Sequence, residues 1–166
     1  AADDATLSSS GAININADFI AGDDVTVLQA SALNFGAKLT ASDLAISNTG
    51  NATFSGNVTL GGSAVLALTG DLTTAAEFAV ANSFDVSTVR DVSFGGLVSS
   101  TMVSVGSASA RMITVNAAGI STSGNLTLRS TSAAGGVTVN GPLSAFDGSI
   151  DLSAIGPVNA SSSIAG

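Results

Sequence analysis

The chain has 166 residues, 45% of them hydrophobic and 10% charged, with a formal net charge of −8. It contains no cysteine and no histidine, which excludes disulfides, thiolate or imidazole metal centres and Cys/His nucleophile–base pairs. The acidic balance repels polyanions, so nucleic acid is not an expected partner. No run of eighteen apolar residues occurs, so insertion into a membrane is not expected either.

In chain order, residues 1–12 read as a partial first coil or a strand that contacts another subunit, with Ala5-Thr6-Leu7 as its strand and Ser8-Ser9-Ser10-Gly11 as a turn. The opening Ala1-Ala2-Asp3-Asp4 has no basic-then-apolar leader, and its small residues fit the cut end that removal of a leader would leave. The body, 13–152, repeats one short pattern of apolar, small polar, apolar. It reads Ile13-Asn14-Ile15, Leu33-Asn34-Phe35, Ala52-Thr53-Phe54, Leu72-Thr73-Thr74, Val92-Ser93-Phe94, Ile113-Thr114-Val115 and Val137-Thr138-Val139, at steps of 20, 19, 20, 20, 21 and 24 residues. A second column begins at Phe19-Ile20 and a third at Val25-Thr26-Val27, both returning at nearly the same step. The corners between them are Gly, Asn, Asp and Ser pieces such as Ala21-Gly22-Asp23-Asp24 and Asn48-Thr49-Gly50-Asn51. The slack in the longer sixth rung sits at Ala117-Ala118-Gly119 and at 130–135. Residues 153–166 read as a terminal coil or linker.

Alternation with period two makes each segment a short strand with one buried face. Three such strands per twenty residues bury little alone but form a continuous core when stacked. The predicted fold is all-β: a right-handed parallel β-helix of about seven rungs, with three sheets. Phe35, Phe54 and Phe94 fall at equivalent inward positions and form a core stack interrupted by Thr74, whose hydroxyl is expected to bond to a neighbouring carbonyl.

The charged residues fall mainly at strand starts. Asn51, Asp71, Asp91 and Arg111 share one corner at steps of 20, which predicts an Asp91–Arg111 ion pair, and the same logic pairs Asp18 with Lys38. These are expected to be surface pairs contributing about 0–1 kcal/mol each. The competing reading is a polysaccharide-lyase or hydrolase groove, but the carboxylates are spread over different corners, and no catalytic residue or cofactor is expected. Asp23-Asp24, and less so Asp3-Asp4, are candidate calcium ligands, although the glycine-rich nonapeptide calcium repeat is absent. Asn-x-Thr/Ser occurs at Asn51, Asn57, Asn125 and Asn159, where a turn Asn followed by an outward strand Thr produces the same spacing. An outward ladder from Asn14 and Asn34 through Thr53 to Thr138 raises ice binding, yet it is a single column that mixes Asn, Ser and Thr.

Pieces such as Gly56-Asn57-Val58-Thr59-Leu60 and Gly124-Asn125-Leu126-Thr127-Leu128 give the chain its resemblance. Over roughly residues 12–152 it resembles the β-helical repeats of bacterial secreted exoproteins, of the filamentous-haemagglutinin and autotransporter passenger type. That resemblance implies export, an extracellular or cell-surface rod, and roles in adhesion or surface assembly. The expectation is a non-enzymatic structural or adhesive protein whose partners are copies of itself, joined end to end or as a segment of a larger exoprotein. Cell-surface or matrix glycans are the second expected partner class, and a carbohydrate-binding or lyase-like β-helix is the alternative. Trp and Tyr are absent, so the usual sugar-stacking platforms are missing.

Overall fold

The computed structural model describes residues 3–88, 90–106 and 111–166, so the Ala1-Ala2 start lies outside the described residues. The chain winds into a parallel β-solenoid, and no helix occurs among the described residues. Each coil contributes one strand to each of three faces. The first face runs from Ala12–Ile15 to Val158–Ala160, the second from Phe19–Ile20 to Ile164–Ala165, and the third from Ala5–Ser8 to Ile150–Ala154. All pairings between successive coils are parallel, and the second face is an 8-stranded sheet.

The count is therefore eight coils, one more than the seven rungs expected. The difference lies at the ends. Ala5–Ser8 pairs with the third-face part of Val25–Phe35 and opens the first coil. Residues 153–166, read as a terminal coil or linker, supply Val158–Ala160 and Ile164–Ala165, which pair with the seventh coil. At about 4.8 Å per coil the stack is about 34 Å long.

The expected three sheets are two. The eleven-residue strands Val25–Phe35 and Leu44–Phe54 keep pairing around the corner from the third face to the first, which merges those faces into one 14-stranded sheet. A register shift between Ile46 and Thr49 absorbs the turn. Asn48 takes a positive φ of 48° there, a conformation that Asn tolerates better than most side chains.

Inside, one core runs the length of the solenoid, with Val25, Leu39, Phe78, Val103, Leu126 and Val139 all fully buried. The phenylalanines do not form one straight column, because Thr74 separates Phe54 from Phe94. Instead the rings zigzag between faces. Phe19 meets Phe35 edge-on, and Phe35 stacks on Phe54 with centroids 5.5 Å apart. Phe54 meets Phe78 edge-on, Phe78 stacks on Phe84 at 4.6 Å, and Phe84 meets Phe94 edge-on.

Thr74 does not find its carbonyl: its Oγ1 is buried with no hydrogen-bond partner among the described residues. Other inward hydroxyls, which like Thr74 close their strands, do find one. Thr88 Oγ1 donates to the Gly70 carbonyl at 2.6 Å, and Ser130 Oγ donates to the Arg111 carbonyl at 2.6 Å. Thr74 is flanked above and below by extended strands whose carbonyls are already engaged in the ladder.

The slack of the sixth rung closes as two tight turns. Gly119 N–H donates to Asn116 O at 3.0 Å, and Gly135 N–H donates to Ser132 O at 3.2 Å. Gly119 has φ +79°, and a Cβ there would run into Pro142 of the next coil, so only glycine fits without strain.

Candidate functional site

Apart from Asp85 and Asp151, which lie within strands, the acidic residues sit where the backbone turns a corner and an amide loses its place in the strand ladder. Buried or half-buried N–H groups need acceptors, and at these corners a side chain from the preceding coil supplies one. At the corner leading into the third face, Asp24 N–H donates to Asp4 Oδ1 at 3.4 Å and Asp43 N–H donates to Asp24 Oδ1 at 3.1 Å. Ser63 N–H continues the series onto Asp43 Oδ1. At the corner leading into the first face, Asp71 N–H donates to Asn51 Oδ1, Asp91 N–H to Asp71 Oδ1 and Met112 N–H to Asp91 Oδ1, at 2.9, 3.1 and 3.2 Å. Ser149 N–H donates to Asn125 Oδ1 at 3.0 Å in the same way. These side chains cap the backbone of the coil that follows them.

Arg111 differs from its expected place. The register pairs Val92 with Ile113, so Met112 stands over Asp91 and Arg111 stands one residue earlier. From there its guanidinium reaches back to Asp91 as a two-point pair, Nε to Oδ1 at 2.8 Å and Nη2 to Oδ2 at 2.5 Å. That hydrogen bond, reinforced by the guanidinium charge, holds the Asp91 carboxyl below its usual range and raises Arg111. A second pair that the step of twenty did not suggest, Arg90 to Asp71 at 3.5 Å, lies nearby. Its signal was the Arg90-Asp91 dipeptide, which places a cation one residue before a corner carboxylate. Asp18 and Lys38 do not form the ion pair expected of them. Asp18 Oδ1 instead accepts the backbone N–H of Lys38 at 3.2 Å, so this carboxylate too is a corner cap.

Of the calcium candidates, Asp23 and Asp24 are joined by Asp4, with one carboxylate oxygen from each lying within 4.8 Å of the others. Burial raises the Asp24 carboxyl above its usual range, opposed by the Asp43 amide and helped by the charges of Asp23, Asp43 and Asp4. A calcium ion takes six to eight oxygens, and Asp4 Oδ1 and Asp24 Oδ1 already accept amides. The cluster is the end of the corner ladder.

The outward first-face ladder is continuous from Asn14 to Asn159 in the strand register. The third-face column at the middle outward position runs Thr6, Thr26, Ala45, Val65, Asp85, Ser104, Thr127 and Asp151, so a second Thr column is broken through the middle coils. One flank hollow holds Asp85 and another holds Arg129, and neither joins a carboxylate to a base as a lyase groove would.

A wide, shallow hollow lies on the second face. It has a volume of about 450 Å³, its lining is uncharged, and it ends against Phe146. Phe146 is 77% exposed, an outward aromatic that inward/outward alternation did not single out because it sits on a corner.

No family model, curated protein or solved structure matches the chain.

Among the described residues, the first and eighth coils have no cover over their outer apolar faces. In the first coil Leu7, Ile13, Ile15 and Phe19 point inward but are only partly buried, whereas Val27, Leu33, Phe35 and Leu39, their counterparts in the second coil, are buried. In the eighth coil Ile150 and Leu152 are partly buried, and Val158 and Ile164 are 44% and 46% exposed.

Proposed function

We propose that the chain is a non-enzymatic structural rod whose end coils continue into further coils, either by stacking against those of another copy or as a segment of a larger β-helical exoprotein. The observation that carries this reading is the pair of uncovered apolar cross-sections, each bordered by strand edges with unpaired N–H and C=O groups that recruit further strands. Soluble solenoids cover such ends with an atypical polar coil or a helix, and neither end coil among the described residues has such a cover.

The internal register can continue across the junction. Extending the register puts Leu152 beneath Leu7, Val158 beneath Ile13 and Ile164 beneath Phe19 of the next copy. Asn159 would lie beneath Asn14 and prolong the Asn14–Asn34 ladder, while Asp4 and Asp18 would meet Ser149 and Ser163 rather than another carboxylate. Such a head-to-tail contact does not close on itself unless its rotation forms a ring, so it builds a filament. The Ser/Thr-rich, cysteine-free composition and the resemblance to exoprotein repeats support an adhesive rod outside a bacterial cell.

Sedimentation velocity and light scattering over a wide concentration range test the assembly. Species well above 15.9 kDa should appear and grow with concentration. The pair Val158→Lys with Ile164→Lys should abolish them while leaving the circular-dichroism spectrum unchanged. A wild-type chain that stays monomeric throughout refutes the stacking of copies.

A further inference from the structure

We propose that the third-face hollow beside Asp85 is a binding site for a primary alkylammonium group, with the Asp85 carboxylate as its counter-ion. The hollow lies on the side of the rod, so it stands or falls independently of what the end coils do.

Asp85 differs from every other carboxylate that the fold partly buries. Those others, Asp24, Asp71 and Asp91, sit at corners, where each accepts a backbone amide of the next coil. Asp85 lies inside the strand Ser83–Thr88, which is paired on both sides, so the amides around it are spent in the ladder. Its Oδ1 is buried and has no hydrogen-bond partner among the described residues. No arginine neutralises it either, because Arg90 pairs with Asp71 and Arg111 with Asp91. A buried carboxylate oxygen with neither a donor nor a cation beside it is costly. One ligand group that brings both removes that cost.

The register builds the space for such a group. Asp85, Ser104 and Thr127 follow one another along one side of the hollow. Ser83, Met102 and Asn125 form the other side, with Phe84 and Val103 between the two. The hollow has a volume of about 300 Å³ and crosses three coils, about 10 Å at the coil spacing. Asp85 is the only charged residue that lines it.

The lining selects the ligand class. An ammonium group carries three N–H donors and no acceptor. Asp85 Oδ1 takes one of them, and the Ser104 and Thr127 hydroxyls offer lone pairs to the rest. Met102, 45% exposed, supplies a flexible apolar wall for a methylene stem. Calcium fits less well, since it takes six to eight oxygens and a single carboxylate among neutral hydroxyls supplies too few. The net charge of −8 draws any cation toward the rod, so a test must separate that general attraction from the hollow itself.

Titration of the whole chain, followed by amide chemical shifts in NMR, makes the separation. The probes are n-butylammonium, Nα-acetyl-lysine amide, tetramethylammonium and calcium. Butylammonium should shift the amides of Asp85, Ser104 and Thr127 saturably, and tetramethylammonium, which has the charge but no N–H, should not. Asp85→Asn should weaken butylammonium binding at least tenfold. Asp151→Asn removes the same charge from an exposed position in the same column and should leave the affinity unchanged. Binding of the lysine amide as well supports the site with a protein side chain as its source, and binding of butylammonium alone supports it with a free amine. Absence of a saturable shift, equal binding of tetramethylammonium, equal loss in both variants, or displacement of butylammonium by calcium overturns the proposal.

Discussion

Thr74 and Asp24 show how position within a coil, rather than residue type, decides what a polar side chain does. The alternation makes Thr74 inward, but its lack of a partner depends on its place at a strand end between Phe54 and Phe94, whose carbonyls already accept the Ala75 and Asn116 amides. Burying a hydroxyl without a partner costs about 1–3 kcal/mol, so Thr74→Val should raise stability by about 1 kcal/mol in urea unfolding. An unchanged or lower midpoint would mean that the hydroxyl is satisfied after all.

For Asp24 the sign runs the other way from an ordinary salt-bridged carboxylate. Its folded-state pKa lies above the unfolded value, so its charged form opposes folding at neutral pH, and that opposition is relieved as pH falls through the folded pKa. Asp24→Asn keeps an acceptor for the Asp43 amide and removes the charge. Its melting temperature should exceed the wild type's at neutral pH, with the gap closing toward about pH 4. Asp91 contributes in the opposite sense. Its lowered pKa gives stability that is present above the unfolded value and lost as pH falls through the folded one, and Asp24→Asn leaves that contribution in place.

At the scale of the coil, the strands were legible and the corners were not. Every column read from alternation corresponds to a face, because period two and a step near twenty leave little freedom in register. The corners obey local rules that the repeat length does not carry. The insertion of one residue before Ile113 moved Arg111 off the slot above Asp91, yet its long side chain recovered the contact. Asp18 reads as half of an ion pair because side-chain charge is visible in sequence, whereas the Lys38 amide that it caps is not.

Close stacking at the corners also constrains side-chain size. Ala37, Gly56, Ala76 and Gly96 are register neighbours between the first and second faces. A Cβ on Gly56 would press into the backbone of Ala37. Gly56→Ala should therefore destabilise by about 1–3 kcal/mol, as overpacking does. A shift within error in the denaturation midpoint would show that the corner can spread at little cost.

For the whole molecule, weak strands at the margin of a repeat read equally as a terminal coil or a linker, and here they form a coil. Val158–Ala160 and Ile164–Ala165 count as strands only because a seventh coil lies beneath them. The aromatic zigzag has a further consequence. It runs from Phe19 to Phe94 and stops, so coils six to eight bring no inward ring of their own to the core, and only the sixth lies against one. In a stack where each coil touches only its neighbours, stability is local and disorder spreads from the weaker end. Native-state hydrogen exchange should show amides of Ile150–Ala154 and Leu126–Ser130 opening well before those of Leu44–Phe54, and uniform protection along the rod would contradict this. The coils then differ in durability along the rod, with an aromatic-braced half that holds longest and a carboxy-terminal edge that opens and re-forms first.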